Sequence, residues 1–240
     1  MKIYIRPQAF EAISFDLDDT LYDNRPVIIK AEAAMLQFLH QSYPQSTKWQ
    51  FDDWRKLKLA LFKHSPDLRH DTSLARLVML EHGLKKLGYD EKLAKAGANA
   101  ALEHFVKHRS NFKVSDEVVE LLTQLKQKYR LIGITNGNVD YQRIGLAEVF
   151  EFVLHPGHGY KQKPSSDMFA LAATKLDLPL ASILHVGDSA KSDVDGARRA
   201  GCQAVWLNPG FGVAEKSAVH SQLPHIEISS IMQLSQVCSS

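Results

Sequence analysis

Cysteine is nearly absent from this chain. Among 240 residues only Cys202 and Cys238 occur, too few and too scattered for a disulfide framework or a thiolate metal centre. That usage fits a reducing interior. No uninterrupted apolar run reaches the roughly 18 residues that would span a bilayer. The opening Met1-Lys2-Ile3-Tyr4-Ile5-Arg6-Pro7 has no long apolar core of the kind a secretory signal needs. The expectation is a cytoplasmic protein with no membrane partner. Charge of one sign is missing too: 29 Lys and Arg stand against 27 Asp and Glu, a formal net charge of +2, without the basic blocks of a nucleic-acid binder. Any anion the chain handles should be small and met by a few local groups. Repeats and low-complexity stretches are also lacking. What is there, 45% hydrophobic and 23% charged residues, suits a globular chain of one large domain or one domain carrying an insert.

Four short apolar runs read as buried parallel strands: Ala12-Ile13-Ser14-Phe15, Leu131-Ile132-Gly133-Ile134, Ile183-Leu184-His185-Val186 and Ala204-Val205-Trp206-Leu207. Helical patterns alternate with the later ones: Asp116 to Lys128 after a candidate N-cap at Ser115, Ser166 to Leu176, and Ser192 to Ala200 closed by Gly201. This alternation predicts an α/β fold, a Rossmann-like parallel sheet with helices on both faces. Residues 24–111 differ. Ile28 to Leu39, Trp54 to Phe62, Leu74 to Leu87 and Leu93 to His108 carry apolar residues at helical spacing, with no convincing strand between them. The expected organisation is a discontinuous core, 1–23 and 112–240, interrupted by an all-helical insert, 24–111, lying over the end of the first strand. Gly210 to Ser221 reads as an exposed loop.

Each expected strand delivers functional groups at its carboxyl end, where open α/β sheets bind their ligands. The first ends in Asp16-Leu17-Asp18-Asp19-Thr20, with Asp16 and Asp18 two residues apart. Two acids so close suit a divalent cation and an anionic substrate, and equally a solvated turn. Ile134 is followed by Thr135-Asn136-Gly137-Asn138, a hydroxyl, an amide and a glycine that can hydrogen-bond phosphate oxygens or simply make a turn. Val186 is followed by Gly187-Asp188-Ser189, with Asp193 beyond; one acid can bind a hard cation while the other orients a water or a lysine, though an acid there also caps a helix. Lys163-Pro164 adds a lysine whose ammonium can offset clustered carboxylates and contact a transferring phosphoryl group.

In order and spacing, Asp16-Leu17-Asp18-Asp19-Thr20, Thr135-Asn136-Gly137, Lys163-Pro164 and Gly187-Asp188-Ser189 through Asp193 resemble the four motifs of the haloacid dehalogenase-like hydrolases. The helical insert after the first motif resembles that family's first cap class. The resemblance implies a phosphatase, a phosphoric monoester hydrolase. In it Asp16 is the nucleophile that becomes an aspartyl-phosphate, and Asp18 is the general acid and base. It also implies Mg²⁺ held by Asp16, the backbone carbonyl of Asp18 and Asp188, with Asp193 supporting those ligands. Thr135, Asn136, Gly137 and Lys163 are implied to hold the phosphoryl oxygens. Asp18 favours phosphate esters, because dehalogenases of this fold attack carbon and do not need that acid. Asp19 stands where many members have glycine.

Outside these motifs, Leu21-Tyr22-Asp23-Asn24-Arg25-Pro26-Val27-Ile28, Phe150 to Leu154 and Leu223-Pro224-His225-Ile226-Glu227-Ile228-Ser229 resemble the family's enterobacterial phosphatases. Those act on flavin mononucleotide and 5-amino-6-(5-phospho-D-ribitylamino)uracil, which implies a place in riboflavin biosynthesis. A broad sugar-phosphate or nucleotide phosphatase, a mutase, and a non-catalytic phosphometabolite-binding protein stay open as alternatives. In the insert, Trp49, Trp54 and Phe62 suit either a core or a ring-stacking pocket. Arg69, His70 and Arg109 suit solvated surface or substrate contact. Oligomeric state is not legible in these residues.

Overall fold

A computed structural model describes residues 1–211 and 221–238, and the chain divides into two compact units. The middle of the expected loop at Gly210 to Ser221 lies outside the described residues.

One unit comprises Met1–Asn24, Lys113–Gly137 and Tyr141–Ser240. Among the described residues its strands are β1 (Lys2–Ile3), β2 (Ala12–Phe15), β3 (Arg130–Ile134), β4 (Val153–Leu154), β5 (Ile183–Gly187), β6 (Gln203–Leu207) and β7 (Ile226–Ile228). They form one sheet in the order β1-β7-β6-β5-β2-β3-β4. All pairings are parallel except β1 with β7. Every residue of β2 is buried, as expected of a strand with parallel neighbours on both sides. Its partners are β3 on one side (Phe15 opposite Gly133) and β5 on the other (Phe15 opposite Val186). The chain therefore leaves β2 toward one neighbour and later returns on the other side, a topological switch point. One face presents Ala12, Ile132, Ile134, Ile183, Ala204 and Trp206, on which Met168, Phe169 and Ala172 of the helix Asp167–Leu176 pack.

Helix Asp116–Lys126 buries Val118, Leu121, Leu122 and Leu125. Ser115 precedes it as expected but makes no capping bond. Asp116 and Glu117 in the first turn instead place negative charge at the positive end of the helix. The expected helix from Ser192 starts later: Ala190–Asp195 forms one wide turn and regular helix runs only from Gly196 to Ala200. Gly201 closes it at φ 99°, where a Cβ would be strained. The two thiols are free, and burial pushes Cys202 up to about 12 and Cys238 up to about 11, so neither is a ready thiolate.

The second unit, Arg25–Phe112 with Asn138–Asp140, is helical. α1 (Asn24–Ser42), α2 (Phe51–His64), α3 (Thr72–Lys86) and α4 (Glu91–Arg109) surround a core that includes Met35, Leu39, Trp54, Leu80, Leu84, Ala98 and Phe105. Asp71 caps α3 by accepting from Leu74 N at 2.9 Å, and Asp90 caps α4 by accepting from Leu93 N at 2.8 Å. Trp54 is core: it lies against Gly83, where any Cβ would collide with its ring, and meets Trp49 edge-on at 5.0 Å. Phe62 is half-buried beneath Lys58 and Arg69. Arg109 is not solvated surface, being buried at the end of α4. Among the described residues no helix is long and apolar enough to cross a membrane.

Candidate active site

The carboxyl ends of β2, β3 and β5 meet beside the switch point, and a cavity of about 160 Å³ opens there, lined by Asp16, Asp18, Thr135, Gly137, Lys163 and Asp193 among others. At about 30 Å³ per water, that is the space of roughly five waters, enough for a phosphoryl group. A larger cavity of about 770 Å³ lies at the opposite, amino-terminal ends of the strands, lined by Phe10, Tyr129, Ile226 and Val237, away from every motif.

Lys163 organises the interior. Its ammonium, 1% exposed, donates to Asp16 Oδ1 at 2.8 Å, Asp193 Oδ1 at 2.7 Å and the Ile134 carbonyl at 2.5 Å. Three donors meet three acceptors, so the lysine is fully satisfied without water. Burial works against its charge, yet Asp16 and Asp193 outweigh that and raise it above its ordinary value. Asn136 holds the lysine in place: its side-chain Nδ2 donates to Lys163 O at 3.0 Å and its Oδ1 accepts from Lys163 N at 2.8 Å. The side-chain amide thus bonds the Lys163 backbone at both ends, which clamps the lysine.

Asp193 is held by three donors. Oδ1 accepts from Lys163 and from His185 Nε2 at 3.2 Å, and Oδ2 accepts from Ser189 N at 2.9 Å. Burial alone would raise its pKa, but Lys163 and His185 together hold it well below the usual carboxylate range. Gly187 makes room for it, since a Cβ there would collide with the Asp193 side chain. Behind it, His185 is fully buried, which lowers its pKa and keeps it neutral. Because ionised Asp193 can only accept, His185 Nε2 carries the proton and Nδ1 accepts from Ser14 Oγ at 2.8 Å.

Asp16 and Asp188 retain chemical capacity. Asp16 Oδ1 is held by Lys163, while burial, the largest influence, pushes the carboxyl well up against that lysine's pull. Asp188 Oδ1 accepts from Thr20 Oγ1 at 3.2 Å, and its carbonyl accepts from the indole of buried Trp206 at 2.8 Å. Burial, then Asp193 and Asp19, raise Asp188 to about 7. Oxygens of Asp16, Asp188 and Asp193 all lie within 4.8 Å of one another. Asp16 and Asp193 bond the Lys163 ammonium, while Asp188 lies with them and Asp18 acts on Asp16, so acidic groups outnumber the one cation. With Asp193 Oδ1 taken by two donors, the carboxylate oxygens of Asp16 and Asp188 offer hard donors, a set that fits a small divalent cation such as Mg²⁺.

Asp18 is fixed from two sides. Tyr22 OH donates to its Oδ1 at 2.5 Å, and its Oδ2 lies so close to Gly137 that a Cβ there would approach to 2.6 Å. Asp19 adopts φ 59°, and its Oδ1 accepts from Asn24 N at 2.9 Å, so an acid replaces glycine there by holding the start of α1. Thr135, fully buried, accepts from Gly137 N at 3.0 Å.

All the expected site residues therefore converge at one end of the sheet, with the Lys163 ammonium and the Gly137 N–H both bonded to protein acceptors. Sequence reasoning missed Ser14, Thr20, Tyr22, His185 and Trp206. Ser14 and His185 left a signal, each being a polar side chain inside an otherwise apolar strand run, where it must find a buried partner.

Residues 10–201 match the family described as haloacid dehalogenase-like hydrolase. The chain is 40% identical, over 99% of its length and 100% of the relative's, to the 5-amino-6-(5-phospho-D-ribitylamino)uracil phosphatase YigB of Escherichia coli. It is 25% identical to human N-acylneuraminate-9-phosphatase over 93% of the chain and 91% of that protein. Among solved structures, a 2-haloacid dehalogenase from Pseudomonas syringae superposes with a TM-score of 0.87 at 32% identity, covering 96% of this chain and 98% of that one.

Proposed function

The chain belongs to the haloacid dehalogenase-like hydrolases, and from that premise we propose a Mg²⁺-dependent phosphatase that cleaves small phosphate monoesters through an aspartyl-phosphate on Asp16. The observation that carries this reading is the single small cavity holding Asp16, Asp18, Thr135 and Lys163 together. Asp16 attacks phosphorus with a carboxylate oxygen, aligned by Lys163 on Oδ1. As the P–O ester bond breaks, Asp18 gives its proton to the departing alcohol oxygen. Asp18 then takes a proton from the water that attacks the phosphoryl group, the bond to Asp16 breaks, and inorganic phosphate leaves. Thr135, already accepting from Gly137, directs its own hydroxyl proton to a phosphoryl oxygen. Asp16, the Asp18 carbonyl and Asp188 would hold Mg²⁺, which would supply positive charge against the clustered carboxylates and the phosphoryl oxygens.

For the substrate, the E. coli relative supports 5-amino-6-(5-phospho-D-ribitylamino)uracil, with flavin mononucleotide as a second ester, in riboflavin biosynthesis. On this reading residues 24–111 are the cap and select the leaving group. The dehalogenase likeness favours a second reading, halide release from a 2-haloacid. Asp18 speaks against it, because displacement at carbon leaves a halide that needs no proton. The test is a release assay with Mg²⁺ across the ribitylaminouracil phosphate, flavin mononucleotide, sugar phosphates, nucleotides and a 2-haloacid. Phosphate release with kcat/KM highest for the first ester is expected. Equal values across the panel would remove the narrow assignment, halide release would replace the reaction, and binding without turnover would leave a metabolite-binding protein.

A further inference from the structure

We propose that Tyr22 is a positioning residue for the reaction, holding Asp18 so that one carboxylate oxygen is fixed and the other moves the proton. The proposal rests on the reading of Asp18 as general acid and base given above. The turn after β2 brings the two side chains together. Leu21 N bonds Leu17 O at 2.9 Å, Asp19 N bonds Tyr22 O at 2.9 Å, and Asp18 and Tyr22 form an isolated parallel bridge. Asp19, in its left-handed conformation, makes the reversal. Tyr22 is 7% exposed, so its ring is packed and its hydroxyl has little freedom to swing away. That hydroxyl donates to Asp18 Oδ1 at 2.5 Å. Oδ2 is stopped on the far side by the bare backbone of Gly137, in the same loop as the Thr135 hydroxyl.

The two oxygens of Asp18 are therefore not equivalent. Oδ1 accepts from Tyr22, whereas Oδ2 faces the Gly137 backbone. Oδ2 is the oxygen beside the phosphate loop, where the leaving alcohol and later the attacking water must be served. A free carboxyl would spread its proton over both oxygens and several rotamers. Tyr22 removes those alternatives before substrate arrives.

The experiment compares Tyr22→Phe with the unaltered protein on two phosphate esters, an alkyl ester and p-nitrophenyl phosphate, with Mg²⁺. The ratio kcat/KM reports only the steps up to phosphoryl transfer to Asp16, where Asp18 acts as acid. An alkoxide is strongly basic and needs that proton; nitrophenolate does not. The expected result is a fall in kcat/KM of about 10–100-fold for the alkyl ester and of no more than about 3-fold for the aryl ester. In an Asp18→Asn background, Tyr22→Phe should change the residual rate less than about 2-fold, since two groups acting through one another are not additive. Equal losses on both esters, no loss on either, or a full further loss in the Asp18→Asn background would each overturn the proposal, the first marking Tyr22 as merely structural. Failure of the underlying reading looks different: Asp18→Asn alone would then turn over the alkyl ester at the normal rate.

Discussion

Replacing Lys163 by Met keeps the side-chain volume and removes the buried ammonium on which the site is built. Two carboxylates, Asp16 and Asp193, and the Ile134 carbonyl lose their shared donor at once. Breaking a buried ion pair from one side costs about 3–5 kcal/mol, a large part of the roughly 5–15 kcal/mol that holds a domain together. At about 2–4 °C per kcal/mol for a chain of this size, the unfolding midpoint at neutral pH should fall by roughly 6–20 °C. The loss should also depend on pH, and Asp193 sets the sign. In the native protein its pKa is depressed, so its stabilisation is fully present above the unfolded value near 4. Without Lys163, burial dominates and raises that pKa, so the variant carries a penalty that is absent near pH 4 and grows as pH rises toward the raised value. The deficit should widen by about 1.4 kcal/mol per pH unit from this one carboxylate. Lys163's own contribution, its pKa being raised, disappears only above its unfolded value near 10.4, outside the range of the assay. Thermal unfolding of both proteins with chelator at pH 5, 6, 7 and 8 measures this. A deficit below about 1 kcal/mol, or one that shrinks as pH rises, would refute the placement of Lys163 as a buried counter-charge.

Other outcomes follow from the same arrangement. Chelation should abolish turnover and Mg²⁺ should restore it; saturating Mg²⁺ at about 100 times its Kd should also stabilise the fold by about 2.7 kcal/mol, and full activity in chelator would contradict the donor set of Asp16 and Asp188. Asp90→Ala removes the cap on α4 and should cost about 1 kcal/mol without changing kcat or KM, because its acceptor serves only Leu93 N; unchanged thermal stability would argue against that cap. Asn136→Ala should lower kcat more than it raises KM, because it loosens the lysine that aligns the nucleophile; a rise in KM alone would return Asn136 to direct phosphate binding.

The parts of the fold visible in the sequence were those whose pattern is set by burial on both faces. β2, β3, β5 and β6 read as apolar runs because each is flanked by parallel neighbours. β1, β4 and β7 are only two or three residues long, too short for any periodicity to register. The four helices of the insert were legible from spacing, but their ends were set by Asp71, Asp90 and the Gln50–Asp53 box, which only geometry reveals as caps. In the site, the groups on strand ends were legible because topology forces them together. What the sequence could not give was the partnership between them. That Asn136 faces Lys163, that Asp193 gathers three donors, and that Tyr22 turns back onto Asp18 all depend on side-chain direction. Arg109 shows the same limit from the other side: a cation at a helix end reads as solvated, and here it is buried.

The central claim is covalent: phosphate passes through Asp16. Acid quench of the enzyme during turnover, followed by borohydride reduction and peptide mass spectrometry, converts an aspartyl-phosphate to homoserine at the residue that carried it. Homoserine at position 16, dependent on substrate and absent from Asp18 and Asp188, is the predicted result. Turnover with no reduced residue, or reduction at another aspartate, would contradict it.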